Sequence, residues 1–385
     1  MNSLQTLAQR YTQLFKHSHI LIKAPGRINV IGEHTDYNEG WVLPAAIDKY
    51  VYFALGKNGD VDYTEVYSPF VDEKARFNVQ STEFEYSPSC AKYLQAATIE
   101  MRARGYEIKG VNGAMDGDIP LGAGLSSSAA LCCGFIFGVA KLNDIEISRA
   151  EIALIAQATE HRVGLNCGLM DQYAVLFGKE NQVIGLDCQS LTFEHSPLEL
   201  KNYALVLINS NIKHELAADS GYNDRRASCE RVVAHIQKDH PKIKTLRDIS
   251  KTQLIDYQPQ LGSIDFQRAQ YVFRENQRVL NTMQALENGN IQQVGEYLYQ
   301  SHNGMRHEYE ITVPEIDLLV DLTKEIPAVI GSRMMGGGFG GCTINFIEKS
   351  AKEKVVQEIV GQYQKETNQE ASVYEVKIGD GVNLL

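Results

Sequence analysis

Proline is scarce in this 385-residue chain, at 10 residues. With 44% apolar and 22% charged residues beside it, that scarcity excludes a disordered, collagen-like or disulfide-scaffold chain. Positive charge is the minority sign. Lys plus Arg number 37 against 48 Asp plus Glu, for a net charge of −11. An acidic surface repels phosphate backbones and anionic lipid, so neither nucleic acid nor a membrane is an expected partner. Cysteine is sparse and unpatterned, with seven residues, an odd count, and no Cys-x-x-Cys. The seven read as reduced thiols of a cytoplasmic protein, not as a disulfide framework or a zinc site. Long apolar runs are missing. The longest, Ala129 to Ala140, falls far short of the ~20 residues a bilayer needs. Leu4, Leu7, Tyr11, Leu14 and Phe15 recur at helical spacing among polar residues, which predicts an amphipathic surface helix and not a signal peptide.

At roughly 150 residues per domain, the length suggests two domains. Alternation over residues 20–32 predicts a strand, and Tyr50–Leu55 and Asp62–Tyr67 read as further strands. A helix over Cys90–Arg104, a strand over Gly110–Met115 and a helix from Ser127 to Leu142 follow. Ser148 and Glu151 have capping-box spacing and open a helix ending near His161. Val183–Asp187 and Ala204–Asn209 look like strands. From Asp224 to Arg306 the chain is polar and mostly helical, broken at Pro241 and Pro259. It closes with helix Glu315–Glu325, a glycine-rich turn after a helical region, strand Thr343–Glu348, helix Lys352–Glu366 and strand Ser372–Ile378. This change of texture divides the chain into residues 1–195 and 196–385.

Four clusters carry chemistry. The first, Gly26-Arg27 followed by Gly32-Glu33-His34-Thr35-Asp36-Tyr37-Asn38, packs charged and hydrogen-bonding groups around one strand end. A polyhydroxylated ligand needs such a set, since hydrogen bonds to charged groups are worth about 1.5–3 kcal/mol each. The bland alternative is a solvated turn formed by Asp36 and Asn38. The second, Pro120 to Ala130, sets glycines and three serines between a strand and a helix. Its backbone amides and helix N-terminus suit phosphate, and its hydroxyls suit phosphate oxygens or magnesium. It is neither a Walker A loop nor a nucleophile elbow; a Gly-Ser turn capping a helix is the alternative.

In the third, Glu160 sits near a helix C-terminus, where the dipole disfavours an anion, so a cation is expected beside it: Arg162 or a metal. Asp171 lies among Leu169, Met170, Tyr173, Ala174 and Val175, a costly place for an unpaired carboxylate unless that helix-terminal Asp faces solvent. The fourth, Met335 to Cys342, formally matches Gly-x-Gly-x-x-Gly. A strand pattern follows it instead of a helix, so the dinucleotide reading fails, while the glycines still suggest close backbone approach or a flexible turn.

Together and in this order the clusters resemble the GHMP kinase family and, within it, the galactokinases. GRINVIGEHTDYNEGWVLP (26–44) resembles the galactokinase signature, PLGAGLSSSAA (120–130) the family's phosphate motif, and MMGGGFGGCT (334–343) its C-terminal glycine motif. NCGLMDQ (166–172) and residues 209–230 fit as well. The resemblance implies an α+β chain of two domains, ribosomal-S5-like then ferredoxin-like, with the active site between them. It implies that MgATP and α-D-galactose give ADP and galactose 1-phosphate, the entry to galactose catabolism by the Leloir pathway. By position, Arg27 and Asp171 would be catalytic. Glu33, His34, Thr35, Asp36, Gly168, Asp171 and Tyr222 would hold the sugar. Gly122, Ala123, Gly124, Leu125, Ser126, Ser127 and Ser128 would hold ATP, with Ser68 a further nucleotide contact. Ser128 and Glu160 would flank Mg2+. No obligatory protein partner is implied.

Three positions depart from the family pattern: Cys90 for a tryptophan, Met335 for a threonine and Gly221 for a glutamate. Competing readings are a kinase for N-acetylgalactosamine, arabinose or mevalonate, and a non-catalytic galactose sensor on the same scaffold. The Glu33-to-Asp36 cluster opposes an alcohol kinase. Ser128, Ala129, Glu160 and Asp171, all present, oppose the sensor.

Overall fold

The computed structural model describes residues 3–60, 62–68, 73–83, 89–120, 122–213 and 215–385. Helix α1 (Ser3–Phe15) leads into strands β1 (Ile20–Asn29), β2 (Trp41–Val42), β3 (Pro44–Lys57), β4 (Tyr63–Ser68) and β5 (Glu73–Asn78). Helix α2 (Ser89–Ala103), strand β6 (Val111–Gly117) and helices α3 (Ser127–Leu142), α4 (Arg149–Arg162) and α5 (Met170–Phe177) follow. Strands β7 (Gln182–Asp187) and β8 (Thr192–Pro197) form a small sheet ordered β2-β7-β8. The second half begins with β9 (Tyr203–Lys213) and helices α6 (Glu215–Gln237), α7 (Lys251–Tyr257), α8 (Ser263–Glu287) and α9 (Ile291–Gly304). A five-residue π-helical turn, Met305–Tyr309, leads to α10 (Pro314–Lys324). Strands β10 (Val329–Met334) and β11 (Gly340–Glu348), helix α11 (Lys352–Thr367), β12 (Ser372–Val376) and β13 (Asn383–Leu384) complete the described chain.

The first lobe is built on a six-stranded sheet ordered β13-β1-β3-β6-β4-β5. Helix α3 packs on β1 and β3 and is buried nearly all round, with 11 residues from Ala129 to Leu142 inside. That is why its sequence is apolar without a polar face. Helix α1 buries Leu7 and Tyr11 of the expected apolar stripe, while Leu14 of that stripe is exposed. Ser148 caps α4 by accepting from the Glu151 amide at 3.1 Å.

The second lobe holds an antiparallel sheet ordered β10-β11-β9-β12, with helices after β9 and after β11. Strand, helix, two strands, helix, strand in that order is the ferredoxin-like arrangement.

Four features differ from the sequence reading. The region before the glycine run is strand β10, so residues 335–339 link two antiparallel strands, not a helix to a strand. Five of its six residues are buried, which erases the period-2 signal. Helix α6 begins at Glu215, well before Asp224. Helix α5 was hidden by its eight-residue length. Finally, β13 returns to pair with β1, Ile22 opposite Leu384, and Val279 and Met283 of α8 join the first core. A cut at residue 195 therefore divides the chain but not the packing.

Candidate active site

A cavity of about 330 Å³ opens between the lobes. Arg27, Glu33, His34, Asp36, Ser128, Glu160, Gly168 and Asp171 line it from the first lobe, and Tyr222 and Gly336 to Gly338 from the second. All four sequence clusters, the glycine loop among them, thus meet at one place.

Asp171 sits in the first turn of α5, where the helix dipole favours an anion. Arg27, at the end of β1, grips it with a fork: Nε donates to Oδ1 at 2.7 Å and Nη2 to Oδ2 at 3.0 Å. The Ser126 hydroxyl donates to Oδ2 as well. Ser126 is left-handed at φ 57° and makes no side-chain cap to α3, so its hydroxyl is turned toward the carboxylate. Arg27 Nη1 also donates to the Gly124 carbonyl at 2.5 Å, tying the phosphate-type loop to the same guanidinium.

Glu33 is fully buried and paired with Arg333, whose Nη2 lies 2.8 Å from Oε2. Asn29 donates to Oε2 and the Gly336 amide donates to Oε1 at 2.8 Å. Burial pushes the Glu33 carboxyl up, and Arg333 opposes that. Glu33 therefore joins the sugar-type loop of one lobe to the glycine loop of the other.

His34 is buried and left-handed at φ 62°. Burial pushes its imidazole down to about 4, so the ring is neutral near pH 7. Asp36 is the opposite case. Burial first, then the neighbouring Asp171 charge, pushes its carboxyl up to about 6. Gly168 is required beside it, since a Cβ there would stand 2.1 Å from Asp36 Oδ2.

The Asp36 shift has a testable consequence for the unliganded protein. Its folded value of about 6 lies above the ordinary 3.8, so its contribution to stability is complete below 3.8 and lost as pH rises through 6. Two units correspond to about 3 kcal/mol at most. Asp36→Asn should thus gain stability over wild type progressively from pH 4 to 6 and then hold a constant margin, read from urea midpoints. A margin independent of pH would contradict the burial of this charge.

Glu160, in the last turn of α4, is 3% exposed and pairs with no cation among the described residues. Arg162 binds Glu100 instead, at 2.7 Å. The partners of Glu160 are Ser128, Gln172 and the Cys167 thiol, and burial pushes its carboxyl up to about 7. Gln172 Oε1 is buried beside it with no hydrogen-bond partner. Hydroxyl, carboxylate and an orphaned amide oxygen form a hard-oxygen donor set, which fits a small divalent cation such as Mg2+.

Other expected residues lie differently. Thr35 is outside the cavity lining, its hydroxyl between the carbonyls of Gly32 at 2.8 Å and Trp41 at 2.7 Å, where it closes the loop. Gly122 to Ser126 form the turn into α3 next to the cavity, Ser127 opens the helix, and of the expected ATP-binding residues Gly122 to Ser128 only Ser128 lines the cavity. Leu121, within that motif, lies outside the described residues. Ser68 is buried at the end of β4, three strands from β1. Cys90, in the first turn of α2, packs against the first core.

The other two departures have structural accounts. Met335 Sδ accepts from the Asn29 amide at 3.4 Å, supplying an acceptor where a hydroxyl is missing. Gly221 lies under the Phe339 ring, which a Cβ would meet at 2.3 Å.

Sequence reasoning missed Arg333, Gln172 and the supports on α8. Tyr271 donates to the Glu33 carbonyl at 3.2 Å and Glu275 accepts from the Gly32 amide at 3.0 Å. Gln172 follows Asp171 within a motif already singled out, which was the one available signal.

Comparison with known proteins agrees with this geometry. The galactokinase galactose-binding signature matches residues 9–57, the GHMP kinase N-terminal domain residues 88–179 and the GHMP kinase C-terminal domain residues 282–365. Galactokinase of Thermosipho africanus is 39% identical over 94% of this chain and 99% of its own. Galactokinase of Roseiflexus sp. is 36% identical over 98% and 96%. The crystal structure of Lactococcus lactis galactokinase complexed with galactose superimposes with a TM-score of 0.94 at 31% identity, covering 100% of both chains. Methanococcus jannaschii mevalonate kinase shares the fold alone, with a TM-score of 0.68 and 14% identity. Two lobes closing on a glycine-serine loop make this a GHMP-type, ATP-dependent small-molecule kinase. Within that class, the chain belongs to the galactokinase family.

Proposed function

We propose that this chain transfers the γ-phosphoryl group of ATP to the C1 hydroxyl of α-D-galactose, giving galactose 1-phosphate and ADP. The observation that carries this reading is the Arg27–Asp171 fork, set in the cavity wall between Asp36, Tyr222 and the phosphate-type loop. Phosphoryl transfer leaves the protein little covalent work; positioning and charge stabilisation dominate. Asp171 has about four acceptor sites, three of them taken by Arg27 and Ser126, and the one left on Oδ1 receives the C1 hydroxyl. Arg27 donates three of its five N–H bonds within the protein, leaving two for the phosphoryl oxygens.

Asp36 and Tyr222 carry the polar atoms left to read the sugar. The Tyr222 hydroxyl has no protein partner among the described residues, and Gly168 lets Asp36 approach. Ser128 and Glu160 would hold Mg2+, which when bound neutralises phosphate charge. We place the chain in the cytoplasm, where thiols stay reduced.

The test is ADP release across galactose, glucose, N-acetylgalactosamine, arabinose and mevalonate with MgATP. Galactose should be the preferred acceptor. No galactose-dependent release, or a preference for mevalonate, would sink the reading. For the metal, Glu160→Gln should raise the Mg2+ concentration for half-maximal rate by at least about tenfold, with little change in galactose KM. An unchanged Mg2+ titration would remove Glu160 from the ion site.

A further inference from the structure

Behind the sugar-type loop lies a line of four side chains that the proposed reaction does not use directly. His34 Nε2 lies 3.1 Å from the Gly337 carbonyl, and its Nδ1 lies 2.7 Å from the Tyr37 hydroxyl. The Tyr37 hydroxyl is 2.8 Å from that of Tyr309, which is 3.3 Å from Cys229 Sγ. Every member is buried or nearly so.

Donor accounting leaves one arrangement for a neutral ring. A carbonyl only accepts, so Nε2 carries the proton and Nδ1 is the acceptor. Tyr37 must then donate to Nδ1, Tyr309 to the Tyr37 oxygen and the Cys229 thiol to the Tyr309 oxygen. Tyr37 and Tyr309 each have a single hydroxyl hydrogen, and each is used once. The direction is set at one end by a backbone oxygen of the second lobe and at the other by a thiol on α6. That helix also carries Tyr222, whose ring is 4.9 Å from His34 and 5.4 Å from Tyr37. Tyr309 ends the π-helical turn and stacks on Tyr271 at 4.5 Å, which fixes the middle of the line.

We infer that Tyr37, itself backed by Tyr309 and Cys229, is the positioning residue that locks His34 in its Nε2–H tautomer, so that the imidazole latches the glycine loop at Gly337 and sets the sugar pocket wall instead of donating to the sugar. Both ring nitrogens are then spent on protein partners. A ring with the other tautomer would face a carbonyl with a lone pair and lose the latch. The glycine loop would keep its anchors on either side, the Gly336 amide on Glu33 Oε1 and the Phe339 amide on the Ile311 carbonyl, both at 2.8 Å, and only the segment between them would loosen. The consequence for galactose rests on the proposed function; the tautomer itself does not.

The test is ¹⁵N NMR of histidine-labelled full-length protein at neutral pH without substrate, His34 being assigned with His34→Gln. The expected His34 pattern is a neutral ring protonated at Nε2. A ring protonated at Nδ1, or at both nitrogens, overturns the inference whatever the enzyme acts on. Tyr37→Phe should convert the His34 signal to mixed tautomers and raise the galactose KM about tenfold, with a smaller change in kcat. Tyr309→Phe, which leaves the Tyr37 donor in place, should keep the tautomer. If Tyr37→Phe leaves both tautomer and KM unchanged, the relay does not position the latch. Should that variant fail to fold, the wild-type spectrum still decides.

Discussion

Asp171→Asn should lower kcat by at least about a hundredfold while galactose still binds. Asparagine keeps the shape of the side chain but exchanges one acceptor oxygen for a donor NH2. Arg27 presents two N–H groups to this carboxylate, one to each oxygen, and Ser126 adds a third donor. An amide can satisfy one edge of that set. At either position its NH2 faces an Arg27 N–H, a donor against a donor, together with the incoming hydroxyl at Oδ1 or with Ser126 at Oδ2. With the NH2 at the Oδ1 position the C1 hydroxyl loses its acceptor, and in either orientation the Arg27 charge, only 6% exposed, loses its counter-ion. Rates from coupled ADP release, with galactose affinity from calorimetry, separate turnover from binding. If more than about a tenth of the rate survives, the carboxylate is worth less than about 1.4 kcal/mol and its assigned role is wrong.

Arg333→Met should be the most damaging of the substitutions for stability. Arg333 is fully buried, and it donates to the carbonyls of Val30 at 2.7 Å, Asn29 at 2.5 Å and Met334 at 2.8 Å as well as to Glu33. Its removal orphans three carbonyls and leaves the Glu33 carboxylate buried without a cation. Breaking one side of a buried pair typically costs about 3–5 kcal/mol. The thermal midpoint should fall by at least about 5 °C. Adding Glu33→Gln should recover part of the loss, because the uncompensated charge is then gone. A single variant as stable as wild type would mean that the pair does not join the lobes. A double variant no better than the single would assign the loss to the carbonyls and not to the charge.

The contrast between these two sites explains what could be read from the residues alone. Asp171 and Glu160 stand out locally, one within an apolar stretch and the other at the wrong end of a helix, so their need for partners is visible without a fold. For Glu160 that local logic named Arg162 as one choice, and the structure pairs Arg162 with Glu100 from α2. The Glu33–Arg333 pair spans 300 positions in the chain, and nothing near Arg333 marks it as different from a surface cation. The same holds for Tyr271 and Glu275, which look like ordinary residues of a polar helix until α8 is seen behind the sugar-type loop.

Architecture divides in the same way. Helix α3 is legible within about a residue at each end because its serines and apolar run begin and end sharply. Strand β10 and the return of β13 were not, since burial on both faces and long-range pairing leave no local period. The strand after the glycine run separates it from a dinucleotide fingerprint, whereas the strand before it, buried on both faces, carries no alternation to distinguish it from a helix.

The central claim is that the phosphoryl group goes to the anomeric hydroxyl, the one the Arg27–Asp171 fork is placed to receive. Proton-coupled ³¹P NMR of the product from galactose, ATP and Mg2+ measures this directly, since the phosphorus couples to the proton on the carbon that carries it. A single product is expected, its phosphorus coupled to one anomeric proton, that of α-galactose 1-phosphate. A signal coupled to the two C6 protons, or ADP formed without any sugar phosphate, would contradict it.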